Sequence, residues 1–247
     1  LREFFQLNLD VIGTESIFAE ADLISAIASM LLEFGLKPTD FLIGISSRKL
    51  LSTYLEEIGT PSAELVYPVL DRRLKIGPEA FAEALTAIGL SEDQTKKIDS
   101  LMCCKSIEDV RGLVSSPASI EALKEIEDLF DILTSTGFGE CIGLDLSIVR
   151  GLAYYTGIVF EVFDKGKSMR AIAGGGRYDD LCAKLGGERV SGVGFGMGDV
   201  VLRNLLEEQE LLPDISHSRL DYFIASFQED LLPVFQLATE LRTRGKR

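Results

Sequence analysis

No run of apolar residues in this chain approaches the roughly 20 uncharged positions that a membrane-spanning helix needs. The start, Leu1-Arg2-Glu3-Phe4-Phe5, lacks both an initiator Met and the basic-then-apolar layout of a signal peptide. The end, Arg242–Arg247, stops just after a helix-like run, so both ends read as clipped. Cysteine is sparse and unpaired in pattern: Cys103, Cys104, Cys141 and Cys182 make no C-x-x-C, and the lone His217 cannot complete a zinc site. Reduced thiols in a cytosolic-type compartment and no bound metal are therefore expected. Positive charge is scarce as well, with 25 Lys and Arg against 39 Asp and Glu and a net charge of −14. That balance argues against a whole-surface nucleic-acid binder, and an anionic ligand needs cations focused in a cleft. Neither a G-x-G-x-x-G in a βαβ setting nor the Lys-Ser/Thr of a P-loop is present.

What is present is the 46% hydrophobic, 26% charged balance of an ordinary globular chain. Residues 4–12 alternate bulky apolar side chains with Gln6, Asn8 and Asp10, the period of a strand. Ala19, Leu23, Ile27, Met30 and Leu31 follow at helical steps up to Gly35. Phe41–Ile45 reads as a second strand, with Ser46 or Ser47 capping a helix to about Ile58. From Gly59 to about Pro117 short amphipathic runs broken by Pro61, Pro68, Gly77-Pro78 and Gly89 suggest a helical insertion, and 118–136 a longer helix. Strand signals return at Ile142–Leu146 and Gly157–Phe163, with Met169–Ala173 expected as the hairpin partner of the latter. A helix from Tyr178 to about Leu185, a glycine-interleaved strand Ser191–Met197 and a helix Asp199–Gln209 follow. After a polar linker, Leu220–Phe227 reads as a strand and Asp230–Arg244 as a helix. Strands next to strands, with helices segregated, indicate an antiparallel α+β core.

Three segments carry candidate chemistry. On a strand, Gln6, Asn8 and Asp10 point the same way about 7 Å apart, facing either water or a polar pocket. Val149-Arg150-Gly151-Leu152-Ala153-Tyr154-Tyr155-Thr156-Gly157 sets a guanidinium suited to phosphate or carboxylate beside two tyrosines that can donate or accept. Gly174-Gly175-Gly176-Arg177-Tyr178-Asp179 suggests an anion-facing loop before a helix. Alternate glycines in Gly192–Gly198 leave one strand face bare for a flat ligand.

Taken together and in order, these segments resemble histidyl-tRNA synthetases. Arg2–Gly13 is similar to the end of the second class II motif, Val149–Glu161 to the histidine-specific R-G-L-x-Y-Y-T-G-x-V-F-E signature, Gly174–Asp179 to the second histidine signature, and Gly194–Gly198 to the start of the third class II motif. The resemblance implies a class II antiparallel sheet flanked by helices: core over 1–58 and 118–213, helical insertion over 59–117, and the start of an anticodon-binding domain over 219–247. It further implies activation of histidine with ATP and transfer to its tRNA, Mg2+ accompanying ATP, a homodimer in the intact protein and a cytoplasmic, membrane-free location. Phe4 would stack on adenine, Gln6 hold the amino group of histidine, and Asp10 and Tyr155 contact its imidazole, with Tyr178 lining the same pocket. Arg150 would be catalytic, bridging the histidine carboxylate and the ATP α-phosphate, and Gly196 would lie at the ATP site. Two departures stand out: Ala153 replaces the common Asp, and Val201 occupies the place of the third motif's Arg, with Arg203 two residues later. The competing resemblances are to the histidine-sensing regulatory subunit of ATP phosphoribosyltransferase and to synthetase-like domains of translation-control kinases.

Overall fold

The alternating start of the chain becomes strand β1 (Gln6–Ile12), and the apolar-periodic run after it becomes helix α1 (Phe18–Glu33). The computed structural model describes residues 3–149, 154–213 and 220–247, excepting the side chains of Leu74 and Lys75. Strand β2 (Phe41–Ser47) leads directly into α2 (Arg48–Glu57), whose first turn is capped by Ser47 Oγ accepting the Leu50 amide at 3.1 Å. Within 59–117 the described elements are the helices α3 (Ala63–Leu70), α4 (Arg73–Ala87), α5 (Glu92–Cys103) and α6 (Ile107–Arg111). Gly77, at φ 78°, makes the kink inside α4 that the Gly-Pro pair announces. Ser91 and Gln94 close a capping box on α5, and Gln94 Nε2 also donates to the carbonyls of Ile58 and Gly59 at the end of α2. The long helix α7 (Pro117–Ser135) returns to the sheet.

Strands β3 (Ile142–Leu144), β4 (Ile158–Asp164), β5 (Ala173–Arg177) and β6 (Gly192–Gly198) complete a six-stranded sheet in the order β1-β6-β5-β4-β2-β3. All neighbours are antiparallel except β2 and β3. A short helix α8 (Leu181–Lys184) lies between β5 and β6, and α9 (Asp199–Glu208) follows β6. One sheet face carries the core: Ile43 and Ile45, Phe160 and Val162, Val193 and Phe195 pack with Leu23, Ile27 and Leu31 of α1 and Ile126, Leu129 and Leu133 of α7. Each such buried side chain contributes about 1.5–3 kcal/mol relative to exposure. This is the expected α+β arrangement of a sheet flanked by helices.

Contacts divide the chain into units Leu1–Leu211 and Leu212–Arg247. In the second, α10 (Leu232–Thr243) is helical as expected, and the Arg247 carbonyl accepts the amides of Asp221 and Tyr222.

Four expectations need correction. Residues 220–227 form no strand: no neighbouring strand offers the ladder that alternation alone cannot supply, and Phe223 and Phe227 are exposed. The hairpin partner of β4 is β5 at 173–177 rather than 169–173, with Val162 opposite Ala173 and Val159 opposite Gly176. The triple glycine is thus the middle strand of three, not a loop before a helix. The helix expected from Tyr178 shrinks to Leu181–Lys184, because Tyr178 is still held to β6 by its amide on the Gly192 carbonyl at 2.7 Å.

Candidate functional site

Register places the polar stripe of β1 over bare backbone. Two rows of paired residues cross the face of the sheet opposite the core: Asn8–Gly196–Gly174–Glu161–Gly44 and Asp10–Gly194–Gly176–Val159–Ser46. In each row β6 and β5 contribute glycine, so two adjacent strands lack side chains on this face. At about 4.8 Å per strand they open a trough about 10 Å across. Side chains of β1 lean over it. A Cβ on Gly194 would lie 1.9 Å from Asp10 Oδ1, and one on Gly196 would lie 2.8 Å from Gln6 Nε2 and 3.0 Å from Asn8 Oδ1.

Aromatic rings close one end. The Tyr178 ring sits where a Cβ of Gly192 would be, 2.6 Å away, and the Tyr155 ring lies 3.0 Å from the equivalent point on Gly176. Tyr154 and Tyr155 have centroids 4.6 Å apart, and Tyr154 meets Tyr178 edge-on at 6.3 Å. These rings pack with Ile148, Val159 and Phe163 into a small cluster separate from the main core. The Tyr178 hydroxyl donates to Asp10 Oδ1. Burial, then the Asp10 carboxylate, raises the phenol pKa well above its usual value, so Tyr178 is a fixed donor at neutral pH. Asp10 keeps its second oxygen, Oδ2, as an acceptor for a ligand N–H.

Of the residues expected to form a site, Gln6, Asp10, Tyr155, Tyr178 and Gly196 gather around this trough. Phe4 stands just before β1 and is 60% exposed, with its ring free of the core. Arg150 lies outside the described residues. Of the described residues on either side of it, Val149 accepts from Arg48 Nη1 at 3.4 Å and Gly157 from the Arg48 amide at 2.8 Å, each through its carbonyl. At the third motif, Val201 packs against the core, Arg203 is exposed, and Asp199 exchanges hydrogen bonds with the Phe5 backbone.

Arg177 does not face the trough, which corrects its expected place beside an anion-binding loop. On the core side of β5 it makes a bidentate ion pair with the buried Glu20, and its Nη1 also donates to Thr14 O, Asp179 Oδ1 and Ser191 Oγ. Burial draws its pKa down, but Glu20 and Asp179 outweigh that and hold the guanidinium charged. Gly157 gives its side chain room, since a Cβ there would lie 3.1 Å from Arg177 Cδ.

Sequence reasoning missed Glu161, a partly buried carboxylate on the trough face, although the β4 alternation carried that signal. It also missed Arg48, which no motif marks. All four cysteines are free; Cys104 donates to the Ser100 carbonyl and Cys103 accepts from Arg73. Among the described residues no group of three or more His, Cys, Asp or Glu could hold a metal ion, and no helix is long and apolar enough to cross a membrane.

Comparison with known proteins adds the following. A family model described as "Histidyl-tRNA synthetase" matches residues 1–199. The chain is 37% identical over 248 aligned residues to "Histidine--tRNA ligase, chloroplastic/mitochondrial" of Arabidopsis thaliana, covering 99% of this chain and 50% of that protein. It therefore spans about half the length of this relative. Among solved structures it resembles histidyl-tRNA synthetase from Nostoc sp. PCC 7120, with TM-score 0.79 and 24% identity over 99% of this chain and 60% of that one. A Bacillus halodurans C structure described as "ATP phosphoribosyltransferase regulatory subunit/histidyl-tRNA synthetase" matches with TM-score 0.71 and 24% identity, over 98% of this chain and 61% of that one. At these identities the two structures speak for the fold.

Proposed function

Because the chain belongs to the histidyl-tRNA synthetase family, we propose that it is the greater part of a catalytic region that activates histidine with ATP, giving histidyl-adenylate and pyrophosphate, and then charges the 3′ end of the histidine tRNA. The observation that carries the reading is the Tyr178–Asp10 pair at the closed end of a glycine-floored trough. An imidazole there gives one ring N–H to Asp10 and finds Tyr155 for its other nitrogen. Such buried polar readout rejects isosteres that cannot pair. Gln6 holds the amino group, while Gly196 and Phe4 leave an open, flat place for adenine and ATP. Arg150 bridges carboxylate and α-phosphate, stabilising charge as the bond forms; loss of such a donor costs roughly 100- to 1,000-fold in rate.

Mg2+ would be held by triphosphate oxygens with one or two carboxylates in a site of this kind, and Glu161 is the carboxylate of this face that would join it. The intact protein is read as a cytoplasmic homodimer. Phe5, just before β1, and Leu7, Leu9 and Ile12 along it are exposed, an apolar surface available to a partner. Residues 219–247 are read as the opening of the anticodon-binding domain, and 59–117 as the insertion that approaches the acceptor stem.

One observation favours a second reading, the histidine-sensing regulatory subunit: Val201 stands where the third-motif Arg is expected and packs into the core. Histidine-dependent ATP–pyrophosphate exchange by the intact parent protein, lost in Arg150→Ala, is the expected result. Histidine binding with no exchange in the parent sinks the enzyme reading in favour of the sensor.

A further inference from the structure

Arg48 and Arg177 are equally buried, each 7% exposed, but they are held in opposite ways. Arg177 has the carboxylates of Glu20 and Asp179. Arg48, the first residue of α2, has no carboxylate among the described residues. Its guanidinium carbon lies 3.5 Å from the centroid of the Tyr67 ring on α3, and its Nη1 donates to the Val149 carbonyl at 3.4 Å. Its backbone amide donates to the Gly157 carbonyl at 2.8 Å. One core residue thus touches the helical insertion on one side. On the other it touches Val149, which precedes Arg150, and Gly157, which precedes β4.

Val149 is held differently from its described neighbours. Two residues earlier, the Ser147 amide and hydroxyl donate to Asp145 Oδ1, and Lys167 Nζ donates to Oδ2 of the same carboxylate. Later in the segment, the Thr156 amide donates to the Arg177 carbonyl at 2.9 Å. At Val149 the support is a side chain whose own placement depends on a ring. A guanidinium paired with a carboxylate is locked by directional hydrogen bonds, whereas one laid on a ring is held by the ring's face and follows it. Arg48 and Tyr67 also wall a cavity of about 940 Å³ together with other residues of α2 and α3, so no packed side chain wedges the pair from that side.

We propose that Arg48 is a positioning residue for Arg150, and that Tyr67 sets the Arg48 guanidinium, so that the placement of the insertion against the core tunes the activation step. Arg48 touches no substrate in this scheme and acts through the Val149 carbonyl, one peptide before Arg150. The assignment rests on the histidine-activation reading, in which Arg150 bridges carboxylate and α-phosphate. A misplacement of about 1 Å at such a group can cost roughly 100-fold in rate.

The test uses the intact parent protein and its Arg48→Gln, Tyr67→Leu and Tyr67→Phe variants in pyrophosphate exchange. Arg48→Gln lowers kcat roughly 10- to 100-fold, with KM for histidine and ATP changed by no more than about twofold. Tyr67→Leu, which keeps apolar bulk and deletes the ring face, lowers kcat about fivefold, and Tyr67→Phe, which keeps the face, retains most of the rate. Added to Arg48→Gln, Tyr67→Leu has no further effect, because the ring acts only through the guanidinium. The second readout needs no turnover: amide hydrogen exchange in the peptide 148–157 is faster in Arg48→Gln and Tyr67→Leu than in the wild type, and unchanged in α7. Unchanged kcat in the single variants, additive losses in the double variant, or a raised KM at constant kcat overturns the proposal. So does amide exchange in 148–157 that ignores both substitutions. If Arg48→Gln fails to fold, the contrast between Tyr67→Leu and Tyr67→Phe decides by the same two readouts. A parent that performs no pyrophosphate exchange, while 148–157 still responds to both substitutions, leaves the Tyr67–Arg48 coupling standing and removes the activation reading instead.

Discussion

Tyr178 and Asp10 are 168 positions apart in the chain, and their contact exists only because β1 and β6 are paired. Tyr178→Phe keeps the ring on Gly192 and deletes the donor. A hydrogen bond to a charged group is worth about 1.5–3 kcal/mol, so the KM for histidine in pyrophosphate exchange rises about tenfold or more, with a smaller change in kcat. Arg177→Met acts differently: it strands Glu20, which is 1% exposed, without a counter-charge. Breaking a buried pair in this way costs about 3–5 kcal/mol, and thermal unfolding should show a large fall in Tm. The sequence made Asp10, Tyr155 and Tyr178 legible because the family signatures name them. It could not separate Arg177 from Arg48, because whether a guanidinium meets Glu20 or an open cavity depends on long-range packing.

At the scale of elements, glycine does two unlike things within one sheet. A Cβ on Gly194 meets a side chain, Asp10 Oδ1 at 1.9 Å, whereas one on Gly175 meets the Gly194 carbonyl at 2.1 Å and Phe195 Cβ at 2.7 Å. Gly194→Ala is therefore expected to fold, because Asp10 can swing aside, and to lose histidine binding. Gly175→Ala has rigid backbone to displace, and its expected outcome is loss of soluble folded protein. Circular dichroism together with histidine titration separates the two. Most elements could be read in advance, since β1, α1, β2, α7, β6 and α9 each carry a clean period and a cap or glycine stop. The triple glycine could not. It has no hydrophobic period, and only β4 and β6 on either side make it a strand. Leu220–Phe227 is the converse, a good alternation with no neighbour to pair with.

At the scale of the molecule, the joint between the core and the helical insertion carries a pH dependence. Burial favours the neutral form of Glu57 near the end of α2, but the hydroxyl and amide of Ser115, with Ser116 and Ser119, bring its pKa from 4.5 down to about 2. A folded-state pKa below the unfolded one gives stability present above about pH 4.5 and lost as pH falls towards 2. Wild-type Tm should thus fall more steeply than that of Glu57→Gln over this interval, and parallel curves would remove Glu57 from the account.

The pairing of β1 with β6 also has a consequence in time. Gln6 lies opposite Gly198, so β1 cannot be covered on that side until β6 has been made. At 5–20 residues per second that interval is roughly 10–40 s. Throughout it the nascent chain displays Leu7, Leu9 and Val11 with their ladder unpaired, which makes β1 the segment that a co-translational holdase would be selected to grip.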